Sequence, residues 1–383
     1  MKTLQLTNSL DKRGAGVASV VNTLTQDLNT LGHSTRCFSI QAPNSETNSH
    51  PPYDQRFPHT GPIGIGWSRA LAHTLRQTAS TVDVIHQHGL WSMLSHAVAD
   101  TRKQCSTPTI ISAHGMLEPE ALRISAFKKK VFGAFIEKQN LRDAACLHAL
   151  TKAEATHYRD FGLTRPIAVI PNAIRIPDQQ DHGNTVPSTH LPAGRVLLYL
   201  SRLHPKKGLP ALLHAWKEVL PSNSDWNLMI VGPDENGHKQ TLEYTIAQNN
   251  IPAATIHDPV YGAEKHQLLA RADAFVLPST SEGFPMAILE AAAHRCPVLQ
   301  TTTCYFPELA QSGGAIEVEP GPKTLAEGLH KMLELSAEER EYMAGKAHDY
   351  VQTHHSPQRI TQQFVELYQH VAGSGPAPDF LSG

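Results

Sequence analysis

The chain has 383 residues, 40% of them apolar and 18% charged, with a formal net charge of −2 at neutral pH. This composition is that of an ordinary globular protein, and the length favours two domains over a single core. No run of 18 apolar residues is present, which excludes a membrane-spanning helix of the usual length.

In chain order, the opening "MKTLQLTNSL" is too short and too polar for a signal peptide and reads as a first strand around Leu4–Leu6. "DKRGAGVASVV" follows, with Gly14 and Gly16 allowing backbone to approach a phosphate, and leads into an amphipathic helix over Val17–Leu31. It lacks the GxGxxG spacing of a dinucleotide fingerprint. Further strands are expected at Cys37–Ile40, Val82–His86, Thr109–Ser112, Ala145–Ala149 and Ile167–Ile170. The Pro/Gly/Asn/Ser-rich stretch 41–66 reads as one long loop. Between the strands lie helical patterns, and this alternation predicts a parallel sheet covered on both faces.

Residues 176–194 are polar, proline-rich and aperiodic, as an interdomain linker would be. Alternation then resumes, with strands expected at Val196–Ser201, Asn227–Val231, Thr255–His257, Ala274–Leu277, Val298–Thr301 and Ala315–Val318. Two helices close the chain, over about 337–351 and 357–372, and the tail 373–383 reads as disordered. The domains are therefore placed at 1–175 and 195–353, with the helix 354–372 after them. The expected architecture is α/β: two doubly wound parallel-sheet domains, with ligands held beyond the carboxyl ends of the strands.

Charge is unevenly divided. Residues 1–180 carry 19 Lys and Arg against 13 Asp and Glu, and the remainder 14 against 22. The basic half suits an anionic partner or surface. Five cysteines form no CxxC pair and read as buried free thiols, not as a disulfide framework or a zinc site.

Four stretches carry chemistry. In "LLYLSRLHPKKGL" (197–209) a strand ends and Arg202, Lys206 and Lys207 follow at once, beside a helix opened by Gly208. Forked guanidinium and compact ammonium groups in that position suit a diphosphate. In "SEGFPMAILE" (281–290) Glu282 sits in a turn, Pro285 suits the first helical position, and Glu290 falls roughly 7.5 Å along the helix. Free N–H groups over 283–287 favour an anion or a hydroxyl-rich ligand. The two carboxylates suit a sugar near Glu282 and a ribose near Glu290.

"VIHQHGLW" (84–91) and "IISAHGM" (110–116) bring His86, His88 and His114 to the ends of strands. No carboxylate or cysteine spacing completes a metal site there. A neutral His114 donating a hydrogen bond to a ligand hydroxyl is the preferred reading, with His86 structural. Finally, "ALRISAFKKKVFGAFIEKQNLR" (121–142) alternates lysines with Phe127, Val131, Phe132, Phe135 and Ile136, a pattern that can lie on an anionic membrane or form a solvated outer helix. No RNA-binding signature, phosphate loop, serine-nucleophile elbow or Asp-x-Asp motif is present, so nucleic acid is not an expected partner.

Together these residues resemble the retaining glycosyltransferases of family 4, which have the GT-B fold of two Rossmann-like domains facing across a cleft. The likeness runs from "RGAGVASVV" to "EREYMAGKA" and is most specific in "SRLHPKKGL", "NLMIVGPDENG" and the stretch 257–293 with its Glu282…Glu290 spacing. "HQHGLW" and "SAHGMLEPEALR" are similar to bacterial members that build exopolysaccharide or O-antigen chains.

The resemblance implies that Arg202 and Lys207 hold the diphosphate of a nucleotide-sugar donor. Glu282 and the N–H groups of Gly283, Phe284 and Met286, around Pro285, would hold the transferred sugar, Glu290 the ribose, and His114 the sugar from the other domain. Gly16 would approach the phosphate, Val260 and Tyr261 within Pro259–Tyr261 would border the base, and the last helix would cross back to the first domain.

The expected reaction is metal-independent, cofactor-free transfer of a hexose from a UDP- or GDP-sugar to a glycan or polyprenyl-diphosphate-linked acceptor, in the cytoplasm, with peripheral membrane contact through 123–142. A nucleotide-sugar epimerase or hydrolase on the same fold, or a non-catalytic nucleotide-binding scaffold, are the alternatives. The sequence departs from the family pattern at Ala15, Ser201 and Asp258, where glycine is common.

Overall fold

The computed structural model of the chain describes residues 1–10, 15–41, 51–62, 65–123, 129, 132–175, 192–220 and 225–382. The chain divides into two compact units, Met1–Ala173 with Pro357–Gly383, and Ile174–Ser356.

The first unit contains strands β1 (Lys2–Thr7), β2 (Ser34–Gln41), β3 (Asp54–Pro58), β4 (Val84–His88), β5 (Thr109–Ser112), β6 (Cys146–Ala149) and β7 (Ile167–Val169). The second contains β8 (Arg195–Leu200), β9 (Trp226–Val231), β10 (Ala254–His257), β11 (Ala274–Leu277), β12 (Val298–Thr301) and β13 (Ala315–Val318). A last short strand, β14 (Leu381–Ser382), returns to the first sheet.

The first sheet has the order β14-β7-β6-β5-β4-β1-β2-β3, parallel throughout except for β14 against β7. The second, β10-β9-β8-β11-β12-β13, is entirely parallel. Both are open sheets whose order reverses direction, at β4/β1 in one and β8/β11 in the other. Their central strands are apolar runs because helices cover both faces. In the second unit, Val196–Leu200, Leu228–Val231 and Ala274–Leu277 are buried, and Trp216 and Trp226 fill the space beside them.

Two expectations are corrected. The loop placed over 41–66 contains β3, an edge strand held because Phe57 is buried and meets Phe38 edge-on at 5.1 Å. Pro58 ends it without cost, since an edge strand leaves one side unpaired. The tail read as disordered over 373–383 is ordered at Leu381–Ser382. Phe380 and Leu381 pack on a cluster that includes Phe364 and Tyr368, and the Val169 N–H donates to the Phe380 carbonyl at 3.1 Å. The Gly- and Pro-rich lead-in masked that apolar pair.

Among the described residues no helix is long and apolar enough to cross a membrane. Of the basic segment, Phe127, Lys128, Lys130 and Val131 lie outside the described residues, as do the side chain of Phe135 and most of the linker. Lys129 donates to the Ala121 carbonyl and stands 5.7 Å from the Trp91 ring centre, and Lys138 lies 5.7 Å from that of Phe161. All five cysteines are free, four of them buried. Burial raises the Cys304 and Cys146 thiols to about 12, so these are packing groups and not nucleophiles.

Candidate active site

In the second unit β8 ends at Leu200, and the chain turns through Pro205–Lys207, a single 3-10 turn. The His204 side chain accepts from the Lys206 N–H at 3.1 Å and Gly208 closes the turn at φ +69°. Gly208 has two reasons to be glycine. Its φ is left-handed, and a Cβ there would lie 1.9 Å from the Pro278 carbonyl oxygen. The Thr280 N–H and hydroxyl both reach the Lys206 carbonyl, at 2.8 and 3.0 Å, so the basic turn is fastened to the loop that follows β11. Gly208→Ala is expected to cost about 3 kcal/mol, combining a strained φ with overpacking. A denaturant midpoint unchanged from wild type would refute this account of the turn.

That fastening delivers Lys207 to Glu282. Lys207 Nζ donates to Glu282 Oε1 at 2.5 Å, and the Ser279 hydroxyl donates to the same oxygen at 2.5 Å. Lys207 and Glu282 are each only 6% exposed. Removing two charges from water costs several kcal/mol per ion, offset only by their pairing and hydrogen bonds. Both contacts fall on Oε1, and among the described residues Oε2 of Glu282 has no partner and is left for another donor. The Ser279 carbonyl is held in turn by the hydroxyls of Thr301 and Thr303, each at 2.5 Å.

The remaining residues of this half are placed separately. Arg202 does not join Lys207: it pairs with Glu235 at 2.6 Å, and its side chain is about half exposed. Glu290 is the fifth residue of the helix Met286–Ala293 and pairs with Lys265 at 2.8 Å, both partly buried. Val260 packs against the core, whereas Tyr261 is 70% exposed at the head of the helix Gly262–Arg271. Asp258, the departure before Pro259, pairs with Lys239 at 2.7 Å, and that lysine holds its carboxyl below the usual range.

The turn before Met286 differs from expectation. Pro285 has φ −87° and ψ +67°, and precedes the helix instead of opening it. These angles make an inverse γ-turn, in which the Met286 N–H donates to the Phe284 carbonyl at 3.0 Å. Met286 is therefore not a free donor in this structure. Among the described residues the N–H groups of Gly283 and Phe284 have no backbone acceptor.

In the first unit Gly16 is exposed near the start of the helix Ala15–Thr30, with nothing within 4 Å of where a Cβ would stand. Ala15 is helical, so replacement of a glycine there strains nothing; Gly14 lies outside the described residues. His114 sits in the loop after β5, at φ +53°, a conformation non-glycine residues seldom adopt.

Two side chains of the helix Lys152–Asp160 grip the backbone on either side of it. The Ala113 N–H donates to the Tyr158 hydroxyl at 2.9 Å and the Gly115 N–H to Glu154 at 2.6 Å. The other Glu154 oxygen accepts from the Leu150 N–H at 2.7 Å, while burial pushes its carboxyl up to about 7. His114 Nε2 lies 3.0 Å from His88 Nδ1, and burial lowers His114 to about 3, leaving the ring neutral. Among the described residues no group of three or more potential metal ligands is gathered.

The sequence matches a family over both units. Residues 3–173 fit the glycosyl transferase 4-like domain and residues 187–349 the glycosyl transferases group 1. The chain belongs to the glycosyltransferases. The first match spans strands β1–β7 and the second β8–β13.

This glycosyltransferase is 24% identical over 250 residues to the GDP-mannose:cellobiosyl-diphosphopolyprenol alpha-mannosyltransferase of Xanthomonas oryzae, covering 65% of the chain and 63% of the relative. It is 23% identical over 307 residues to a component of the human phosphatidylinositol N-acetylglucosaminyltransferase, covering 78% of the chain and 59% of that protein. The chain thus spans about three fifths of these relatives' length. Its fold is like that of sucrose-phosphate synthase from Thermosynechococcus elongatus, with a TM-score of 0.78 at 18% identity over 98% of this chain and 100% of that one.

Sequence reasoning paired Lys207 with a phosphate and Glu282 with a sugar, and overlooked that the two side chains meet. Ser279, two positions past the end of β11, was also missed. Its only signal was a polar residue just beyond the end of an apolar strand. Gln5, Ser112 and His148 were missed as well, though each is a buried polar residue beside apolar neighbours in its strand.

Proposed function

We propose that the chain moves a hexose from a UDP- or GDP-sugar to a hydroxyl of a glycan or lipid-linked glycan in bacterial surface polysaccharide synthesis, retaining the anomeric configuration and requiring no metal. The observation that carries this reading is the buried Lys207–Glu282 pair with Ser279, just beyond the carboxyl ends of β8 and β11. A buried ion pair is a poor way to stabilise a fold, so its presence beside a parallel sheet's ligand end favours a binding role.

In this reading the sugar lies against Glu282 Oε2, and its departure leaves negative charge on the nucleoside diphosphate. Lys207 and Arg202 stabilise that charge, with the Gly283 and Phe284 N–H groups beside them, and such preorganised charge supplies most of the rate. Two side-chain cations occupy the role a metal would otherwise have. Glu290 meets the ribose, Pro259–Tyr261 the base, and His114 the sugar. Met286 contributes through its side chain or after its turn opens. The departing phosphate takes the proton of the incoming hydroxyl, as the resemblance to retaining glycosyltransferases implies.

A polyprenyl-diphosphate-linked acceptor, met at a membrane surface through 123–142, is supported by the lysines of that segment and by the lipids in the names of both relatives. Co-sedimentation with anionic vesicles tests it. Full activity on soluble acceptors with no vesicle binding would remove the membrane from the proposal.

The reaction itself is tested with a panel of UDP- and GDP-sugars, with and without a polyprenyl-diphosphate-linked glycan, in the presence and absence of EDTA. Transfer that survives EDTA and keeps the donor's anomeric configuration is expected. Release of nucleotide with no acceptor product would point to an epimerase or hydrolase. No turnover would leave a non-catalytic scaffold, a nucleotide-binding one if UDP or GDP still stabilises it thermally.

A further inference from the structure

The carboxyl-terminal half of the first sheet carries a line of polar side chains on one face. Gln5 of β1 is in register with His86 of β4, His88 with Ser112 of β5, and Ser112 with His148 of β6. His86 and His88 are two apart and so share a face. Tyr368, from the helix Pro357–Val371, closes over them. All are buried.

Their hydrogen bonds form one unbranched chain. His148 Nε2 is 2.8 Å from the Ile170 carbonyl oxygen, and His148 Nδ1 is 2.6 Å from the Ser112 hydroxyl. That hydroxyl is 2.7 Å from His86 Nε2, and His86 Nδ1 is 2.8 Å from the Tyr368 hydroxyl. Gln5 Nε2 donates to the same hydroxyl at 3.2 Å, and Gln5 Oε1 is 2.9 Å from His88 Nε2. His88 Nδ1 then meets His114 Nε2 at 3.0 Å.

Every internal member of this chain can be either donor or acceptor; the Ile170 carbonyl cannot. It only accepts, so His148 carries its hydrogen on Nε2. A neutral imidazole has one N–H, so His148 Nδ1 accepts from Ser112. Ser112 has spent its single hydrogen and must accept from His86 Nε2–H. By the same count Tyr368 donates to His86 Nδ1 and accepts from Gln5, and Gln5 Oε1 accepts from His88 Nε2–H. His88 Nδ1 is left as an acceptor, and His114 donates to it. Burial lowers all four rings, His148 to about 4, His114 to about 3, and His86 and His88 well below the usual histidine range, so no second proton disturbs the count.

We infer that this relay fixes His114 as the Nε2–H tautomer, so that its Nδ1 meets a ligand as an acceptor and takes a hydrogen bond from a hydroxyl. Among the described residues nothing bonds to that Nδ1. This reverses the polarity expected from sequence, where His114 was to be the donor. Gln5, His86, His88, Ser112, His148 and Tyr368 are positioning residues: they act on the ligand only through His114. That the hydroxyl belongs to a donor sugar rests on the function proposed above; the tautomer does not.

The direction hangs on a single anchored end, so cutting the chain anywhere between Ile170 and His88 releases it. In Ser112→Ala or Tyr368→Phe, the Gln5 amide can turn over, His88 can donate from Nδ1, and His114 can move its hydrogen to Nδ1. Long-range proton–nitrogen correlation spectra of histidine-labelled full-length protein read this directly, with His114→Gln assigning the signals by difference.

The wild type should show His114 protonated on Nε2 alone. Ser112→Ala and Tyr368→Phe should each give a mixture, and Ser112→Thr, which keeps the hydroxyl, should restore the single form. A wild-type His114 protonated on Nδ1, or one indifferent to both cuts, would overturn the relay. No turnover is needed, so a failure here is separate from a failure of the transferase reading.

Discussion

Lys207→Ala should lower turnover by two or more orders of magnitude while leaving the protein less stable. The catalytic loss follows from removing a preorganised charge where the leaving diphosphate accumulates its own. The stability loss follows from stranding Glu282, which is 6% exposed and would keep a charge with only Ser279 as partner. Breaking a buried pair from one side costs about 3–5 kcal/mol.

The two effects separate in the double variant Lys207→Ala/Glu282→Gln. An uncharged amide no longer needs a cation, so folding should recover by a few kcal/mol while turnover stays low. Denaturant titration and single-turnover kinetics on both variants decide it. A fall of less than threefold in turnover for Lys207→Ala would remove this lysine from the chemistry.

Acid should unfold the first unit well before the second. His86, His88, His114 and His148 are held neutral by burial, with His148 lowered to about 4 and His114 to about 3. Their ordinary pKa is near 6.5. The sign follows from linkage: below pH 6.5 the unfolded chain takes up protons that the folded unit refuses, so stability falls as pH falls. Each ring removes up to about 1.4 kcal/mol per pH unit, and four remove about 5.

Glu154 opposes them. Its carboxyl is raised to about 7, so it favours the folded form as pH falls from 7 towards its ordinary value near 4.5, recovering roughly a quarter of the loss per pH unit. A domain of ordinary stability would then unfold near pH 5, to within about a unit. Trp67 and Trp91 lie in the first unit and Trp216 and Trp226 in the second. Fluorescence of single-unit tryptophan variants against pH therefore follows each one. A first-unit transition that does not move between pH 7 and 4.5 would show that these rings are not neutral in the fold.

The alternation of strands and helices was legible because a parallel sheet covered on both faces needs unbroken apolar strands. Ala274–Leu277 and Thr109–Ser112 fall where the sequence placed them. What was hidden had a physical cause in each case. β3 is amphipathic and mostly polar, since an edge strand buries one side chain where a central strand buries all. β14 lies behind a run of Gly, Ser and Pro that composition alone marks as a linker. At the site, spacing placed Glu282 and Glu290 on one turn and helix, but pairing is a tertiary fact. Nothing local to Lys207 says that its partner is 75 residues ahead, or that Arg202, five residues before it, turns to Glu235 instead. The relay was least legible, because its direction is decided by a backbone carbonyl, which carries no letter.

The helix Pro357–Val371 and the strand after it belong to the first unit although they are made after the whole of the second. The intervening unit is one uninterrupted stretch, Ile174–Ser356. On a ribosome, then, the order of completion is inverted. The amino-terminal sheet emerges early but waits, lacking Tyr368 to cover its histidines and Leu381 to pair its outer strand, while the segment synthesised after it can already close its core. During that interval β7 is an open edge and Gln5 and His86 have no hydroxyl to share, which makes the half-made chain, more than the finished one, the species that needs a chaperone.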